Sequence, residues 1–170
     1  MHKIYYISET NKLVVHNYEE AERLIDIIYS AAYYESNGKT YRGCSPRFDD
    51  YHQRSDPSKV NKMMMLNNQI YEIGEEDNLL YRVIDCYETW VNDNYAFGLS
   101  SVVQACYSQK GYITATSVQK IDGGWRIHVV VNRVNRYTGE KMIKDTVDLK
   151  QAVDNWYDYS YRKMNRQVTQ

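Results

Sequence analysis

The residues best suited to chemistry lie in one irregular stretch, residues 36–57, which has no periodicity and holds both prolines of the chain. Within it, Cys44, Asp50 and His52 could supply a thiol nucleophile and its base, and the same side-chain types are zinc ligands. The spacing from Cys44 to His52 is not that of a zinc finger, and no second pair of ligands completes a tetrahedral site. We therefore expect no metal and no cofactor. A small Cys/His-dependent enzyme is the third of three functional hypotheses.

A second set of residues, cations interleaved with tyrosines, is suited to contacts with phosphates or with an acidic protein. Residues 110–170 contain 11 Lys and Arg against 6 Asp and Glu, whereas the whole chain has a net charge of −1. Such segregation lets a nearly neutral protein present a cationic patch. The candidate contact residues are Arg126, His128, Arg133, Arg136, Tyr137, Lys141 and Lys144, together with Arg42, Arg47 and Tyr51 in the irregular stretch.

Each feature of this second set also has a purely structural interpretation. Cations on a solvent-facing sheet blunt its edges and keep a protein soluble without any ligand. The chain has 18 Tyr and only 2 Phe, which codon usage in an AT-rich genome explains as well as a recognition surface does. The sequence leaves both interpretations open. It also leaves open whether the cationic sheet or residues 36–57 form the working surface.

The elements that must position the cations lie between Gly111 and Asp148. Three alternating segments are joined there by turns at 122–124 and 137–139, which predicts antiparallel strands. In the central strand, residues on opposite faces differ in polarity. The apolar face holds Trp125, Ile127, Val129 and Val131 and should pack on helices, whereas the face with Arg126, His128, Val130 and Asn132 should be exposed or half-exposed. In the third segment, Ile143 and Val147 should share one face.

The rest of the chain predicts an α+β fold in a single domain of residues 1–170: an antiparallel meander of three to four strands packed on three to four helices, with an N-terminal β-hairpin. Residues 95–109 suit a strand or a helix, and we favour the strand. The other predicted elements are a hairpin over 3–16, helices over about 18–35, 57–73 and 75–92, a last helix from 148, and a frayed tail over 162–170.

Several protein classes are excluded at this stage. No run of 18 apolar residues exists that could span a membrane, and the N-terminal residues lack the features of a signal peptide. The three cysteines are an odd number at wide spacings, which favours reduced thiols and a cytoplasmic location over a disulfide framework.

A small, tyrosine-rich chain without a catalytic motif resembles the accessory proteins of phages and mobile elements. That class includes inhibitors of host defence nucleases, anti-CRISPR proteins among them. The likeness is one of size and composition, and no residue pattern matches a particular family. It implies a non-enzymatic binding protein that inhibits a host defence nucleoprotein through protein surface contacts. The alternative is a nucleic-acid-binding domain that uses the cationic sheet face.

Overall fold

The computed structural model describes residues 3, 5–8, 16–31, 42–44, 57–87 and 91–168. Its architecture is α+β, as the sequence predicts, with one five-stranded antiparallel sheet and four helices. In chain order, the elements are β1 (Tyr5–Ile7), α1 (Tyr18–Ala31), β2 (Arg42–Cys44), α2 (Pro57–Ile70), β3 (Leu79–Cys86), α3 (Asp93–Gln109), β4 (Tyr112–Ile121), β5 (Gly124–Asn135) and α4 (Leu149–Val168).

The strand order in the sheet is β1-β3-β5-β4-β2, and every neighbouring pair is antiparallel. The predicted hairpin between β4 and β5 is confirmed: Ile121 pairs with Gly124, and Gly123 takes the positive φ of 71° that the turn requires. The strand predicted at the N-terminus is present as β1, and it pairs with β3. The other arm of the predicted hairpin, residues 13–15, lies outside the described residues.

Helices cover both faces of the sheet and bury two separate apolar cores. The face that carries Trp125, Ile127, Val129 and Val131 packs on α3 and α4, as strand alternation predicts. On the opposite face, Val130 and Ala115 pack on Ile25 of α1 and Val60 of α2. The predictions of α1 and α2 are therefore confirmed within the described residues. The sheet has helices on its second face as well, where the sequence predicted exposure.

The prediction of a helix over 75–92 is wrong, because residues 79–86 form strand β3. This strand is covered on both faces, with Leu80 and Ile84 in one core and Leu79 in the other. A strand buried on both faces loses the apolar–polar alternation that identifies a half-buried strand. Its apolar residues then match helical spacing as well as strand spacing, and the periodicity alone could not separate the two.

The strand favoured over 95–109 is also wrong, because residues 93–109 form helix α3. Asn92 caps this helix: its side-chain oxygen accepts a hydrogen bond from the Tyr95 backbone N–H at 3.1 Å. The sequence pattern predicts Asn92 at the end of a preceding helix. Asn92 in fact begins helix α3. The sequence therefore contains the capping residue of α3, but the prediction assigned it to the end of a helix and not to the beginning of one.

The segment from Lys141 to Asp148 forms no third strand of a meander. It makes one isolated bridge, between Lys141 and Val134, and then runs irregularly to α4. Its alternation also differs from the prediction, because Val147 is buried and Ile143 is exposed. The last helix begins as expected: the Asp148 carboxylate accepts from the Gln151 N–H, and α4 stays helical to Val168, through residues expected to fray.

Candidate binding surface

Three arginines on or beside the sheet are each neutralised by an aspartate. Arg126 makes a bidentate pair with Asp85 through its Nε (2.7 Å) and Nη2 (2.8 Å). The other two pairs are Arg82 with Asp145 and Arg133 with Asp77, both at 2.9 Å. A cation that is paired within the protein has little charge left to offer to a ligand.

Arg133, one of the contact residues predicted from the sequence, is a structural residue. It is only 6% exposed, and its Nε and Nη2 donate to the Met142 carbonyl at 2.9 and 2.6 Å. Its Nη1 also donates to the Asp77 carbonyl at 3.1 Å. The guanidinium therefore ties the segment after β5 to the loop before β3, and it is not available for a partner.

Arg126 and His128 belong to a polar cluster on the α1/α2 side of the sheet, which we call the histidine network: His128 bonds to Tyr81 and Gln119, and Arg126 next to it pairs with Asp85. The imidazole is 7% exposed and lies 2.7 Å from both the Tyr81 hydroxyl and Gln119 Oε1. Because Gln119 Oε1 only accepts, Nε2 carries the proton and Nδ1 accepts from Tyr81. Burial first, and the Arg126 guanidinium second, lower the pKa of His128 from 6.5 to about 4.

The cationic sheet face predicted from strand alternation is therefore not a continuous surface. At one end, Arg126 and His128 are engaged in the histidine network. Further along β5, Val130 packs under α1 and α2, and Asn132 is buried with its amide bonded to Asn68 at 2.9 Å. The alternation of side chains was predicted correctly, but the exposure of this face was not.

Cations gather instead at the opposite end of β5, in a surface that we call the basic rim, where Lys110, Lys141 and Lys144 are exposed and Arg136 is half-buried. Its members lie after α3, in the turn after β5 and in the segment that follows; they are Lys110, Arg136, Tyr137, Lys141, Ile143 and Lys144. None of its four cations makes a salt bridge with a carboxylate among the described residues. This is the opposite of the arrangement around Arg82, Arg126 and Arg133.

The turn that presents Tyr137 is fixed by a dense set of hydrogen bonds. The Asn135 side-chain oxygen accepts from the N–H groups of Tyr137 (2.9 Å) and Thr138 (3.2 Å), while its amide donates to the Lys110 carbonyl at 2.8 Å. Gly139 has a φ of 73° and lies against the Tyr71 ring. These contacts hold the backbone of the turn in one conformation, and the Tyr137 side chain that it presents remains 65% exposed.

Arg136 stacks on the exposed tyrosine. Its guanidinium carbon lies 4.6 Å from the centre of the Tyr137 ring, and its Nη2 donates to the Tyr137 hydroxyl at 2.6 Å. A cation over an aromatic face is stabilised by the ring quadrupole. The pair forms a preorganised aromatic and cationic platform on the surface.

The segment that presents Ile143 and Lys144 is anchored from below by Asp145. The Asp145 carboxylate accepts from Arg82 Nη1 (2.9 Å), from the Tyr107 hydroxyl (2.7 Å) and from the Val147 N–H (3.0 Å). Burial, together with the Asp145 carboxylate, raises the pKa of Tyr107, so its hydroxyl stays a donor. Ile143 is 88% exposed above this anchor.

A groove of about 730 Å³ lies between β1 and the start of α4. Its charged lining residues are largely paired with acids. Lys3 and Lys150 both contact the Asp154 carboxylate, at 3.3 and 2.7 Å, and Arg82 contacts Asp145. The basic rim is therefore the stronger candidate for binding an anionic partner.

No protein-family model matches this chain, and a search of curated proteins finds no similar sequence. Among the described residues, no three His, Cys, Asp or Glu side chains lie together in a way that could hold a metal ion. The helices of the described ranges include none long and apolar enough to cross a membrane.

The structure brings together four of the residues proposed from the sequence: Arg136, Tyr137, Lys141 and Lys144. In the irregular stretch, Arg42 belongs to β2, opposite Ser117, and its side chain lies outside the described part, as do Arg47, Tyr51, Asp50 and His52.

Sequence reasoning missed Lys110 and Ile143. Finding Lys110 required α3 to be recognised as a helix that ends beside the turn after β5. Finding Ile143 required the following segment to be recognised as irregular, because a regular strand would have placed Ile143 on the same face as Val147.

Proposed function

We propose that this chain is a non-enzymatic binding protein that engages a nucleoprotein through the basic rim. We further propose that it acts as a phage or mobile-element accessory protein that inhibits a host defence nucleoprotein, as anti-CRISPR proteins do. The observation that carries the proposal is the contrast between two sets of cations. Arg82, Arg126 and Arg133 are paired with aspartates, whereas the four rim cations have no carboxylate partner among the described residues.

Physical reasoning supports a role for this arrangement in binding. Like charges that are grouped without salt bridges to acids repel one another, so the folded protein gains little stability from grouping them. A large aromatic side chain held in solvent by a fixed turn likewise buries little apolar surface. Tyr and Arg are among the residues that contribute most to binding energy at interfaces. The Tyr137–Arg136 pair has the composition and the rigidity of such a contact.

The inhibitory role rests on different support, namely the small size of the chain and its tyrosine-rich composition, which resemble those of phage accessory proteins. A cytoplasmic location belongs to the same proposal. Cys86 and Cys106 are free thiols, which is the usual state of cysteines in that compartment.

Affinity capture from a bacterial lysate with three forms of the chain tests the proposal. The rim variant replaces Lys110, Lys141 and Lys144 by Gln, and the control variant replaces Lys59, Lys62 and Lys163, which are also exposed. Both variants lose the same charge. We expect the wild type and the control variant to retain a common nucleoprotein, identified by mass spectrometry and nucleic-acid staining, and the rim variant to lose it. Equal retention by all three forms would contradict a role for the basic rim.

A further inference from the structure

We infer that the basic rim binds single-stranded nucleic acid directly, with Tyr137 stacked on one base and the rim cations set against the flanking phosphates. This inference rests on the proposed function, and it names the component of the nucleoprotein that the rim contacts. RNA and DNA both carry the phosphates and the unpaired bases that would be recognised, so the inference applies to single strands of either kind.

The kinds of cation in the rim favour phosphates over an acidic protein. Three of the four are lysines, Lys110, Lys141 and Lys144, and all three are exposed. Lysine is depleted at protein–protein interfaces relative to the remaining surface. Lysine and arginine together supply the contacts to the phosphate backbone that dominate nucleic-acid affinity.

Two of the lysines, Lys110 and Lys141, are also held by hydrogen bonds near the surface that carries the tyrosine. Lys110 Nζ donates to the Thr146 carbonyl at 2.7 Å, and the Lys110 carbonyl accepts from the Asn135 amide next to the Tyr137 turn. On the other side, Lys141 Nζ donates to the Glu76 carbonyl at 3.3 Å. These bonds to neutral carbonyls orient the two ammonium groups, and neither group forms a salt bridge with a carboxylate in the described part of the chain.

The aromatic platform favours a single strand over a duplex. A tyrosine can stack only on a base that is unpaired or splayed out, and such stacking tolerates any sequence because every base has a π-face. Tyr137 is 65% exposed and is supported by Arg136 at 4.6 Å. It is also packed closely against Gly111, where an added Cβ would lie 2.8 Å from the ring. The ring is thus braced in position while most of its surface stays open.

Fluorescence anisotropy with a labelled oligonucleotide of mixed sequence tests the inference, with single-stranded RNA and single-stranded DNA measured in separate arms. We expect binding of the wild type to weaken as salt is added. The slope of log K against log [salt] should be no steeper than about −3, because each of four phosphate contacts contributes about −0.7. The slope of the rim variant should be shallower by about 2, because three of the four cations are gone, whereas the equally charged control variant should keep the slope of the wild type.

Alanine variants of two similarly exposed tyrosines distinguish the contribution of base stacking to oligonucleotide affinity from that of charge. Tyr137→Ala should weaken oligonucleotide binding by roughly 5- to 150-fold at fixed salt, which is the range for loss of one base–aromatic stack. Tyr159→Ala, on α4, is the matched control because Tyr159 is 64% exposed, and it should leave the affinity unchanged. Circular dichroism of all variants confirms that they remain folded.

Three results would overturn the inference: no binding of either oligonucleotide by the wild type at low salt, equal salt slopes for the rim and control variants, or equal affinity for polyglutamate, which carries charge without bases. The proposed function would survive these results if capture of the lysate partner still depended on the rim after nuclease treatment. In that case the rim contacts a protein. If neither oligonucleotide binding nor capture of the lysate partner depended on the rim, the inference and the proposed function would both be refuted.

Discussion

Acidification should destabilise this protein through His128 more than through any solvent-exposed histidine. The pKa of His128 is about 4 in the folded protein, against 6.5 for an unperturbed imidazole. Because the folded pKa is the lower one, the unfolded chain takes up the proton first as the pH falls. The stability contributed by neutral His128 is therefore fully present above pH 6.5 and is lost as the pH falls toward 4.

The magnitude follows from the two pKa values. Between pH 7 and pH 5, the linkage relation gives a loss of about 2 kcal/mol in the free energy of unfolding from this one group. The physical causes are that the imidazolium would be buried and would stand near the Arg126 guanidinium, and together they outweigh the opposing attraction of the Asp85 carboxylate.

His128→Gln removes the titrating group and keeps a polar side chain in the histidine network. Urea denaturation of both forms, followed by tryptophan fluorescence at pH 7, 6 and 5, measures the effect. Other groups titrate in both proteins and cancel in the difference between them. We expect the stability advantage of the wild type over the variant to shrink by about 2 kcal/mol from pH 7 to pH 5. A pH-independent difference would refute the neutral, buried assignment of His128, as would an imidazole pKa near 6.5 measured by NMR.

Two further changes test the packing that positions the basic rim. Arg82→Met should lower the free energy of unfolding in urea by about 3 kcal/mol, because it leaves the Asp145 carboxylate buried without its cation; adding Asp145→Asn should recover part of that loss. Gly139→Ala should lower the free energy of unfolding by about 3 kcal/mol, and Gly123→Ala should lower it by about 1 kcal/mol. Both glycines have a positive φ, which strains any other residue. Of the two, only Gly139 lies where a new Cβ would also clash with another side chain, the Tyr71 ring. Equal losses at the two glycines, or a harmless Arg82→Met, would show that these contacts do not hold the rim as described.

The part of the fold that could be predicted from sequence is the part with local signals. The turn at Asp122-Gly123 and the alternation from Trp125 to Val131 are read within a few residues, and they predicted the hairpin and its apolar face. Strand β3 had no such signal because helices cover both of its faces. Its identity depends on the sheet around it.

The candidate site could be predicted only in part, for a similar reason. Arg136, Tyr137 and Lys141 were found because a turn signal lies next to them in sequence, whereas Lys144 was chosen from the alternation of a third strand that does not form. The aspartates that neutralise Arg126 and Arg133 lie 41 and 56 positions away from them in sequence. Such pairs form only once β3 lies beside β5, so the composition of one strand could not reveal which of its cations are neutralised.

Lysine-directed footprinting tests the central claim most directly. The chain alone and the chain bound to its captured nucleoprotein are acetylated briefly, and the modification of each lysine is measured by mass spectrometry. The account predicts that Lys110, Lys141 and Lys144 become protected in the complex, while Lys59, Lys62 and Lys163 react as before. Protection of the second set with full reactivity of the first would contradict the assignment of the basic rim as the binding surface.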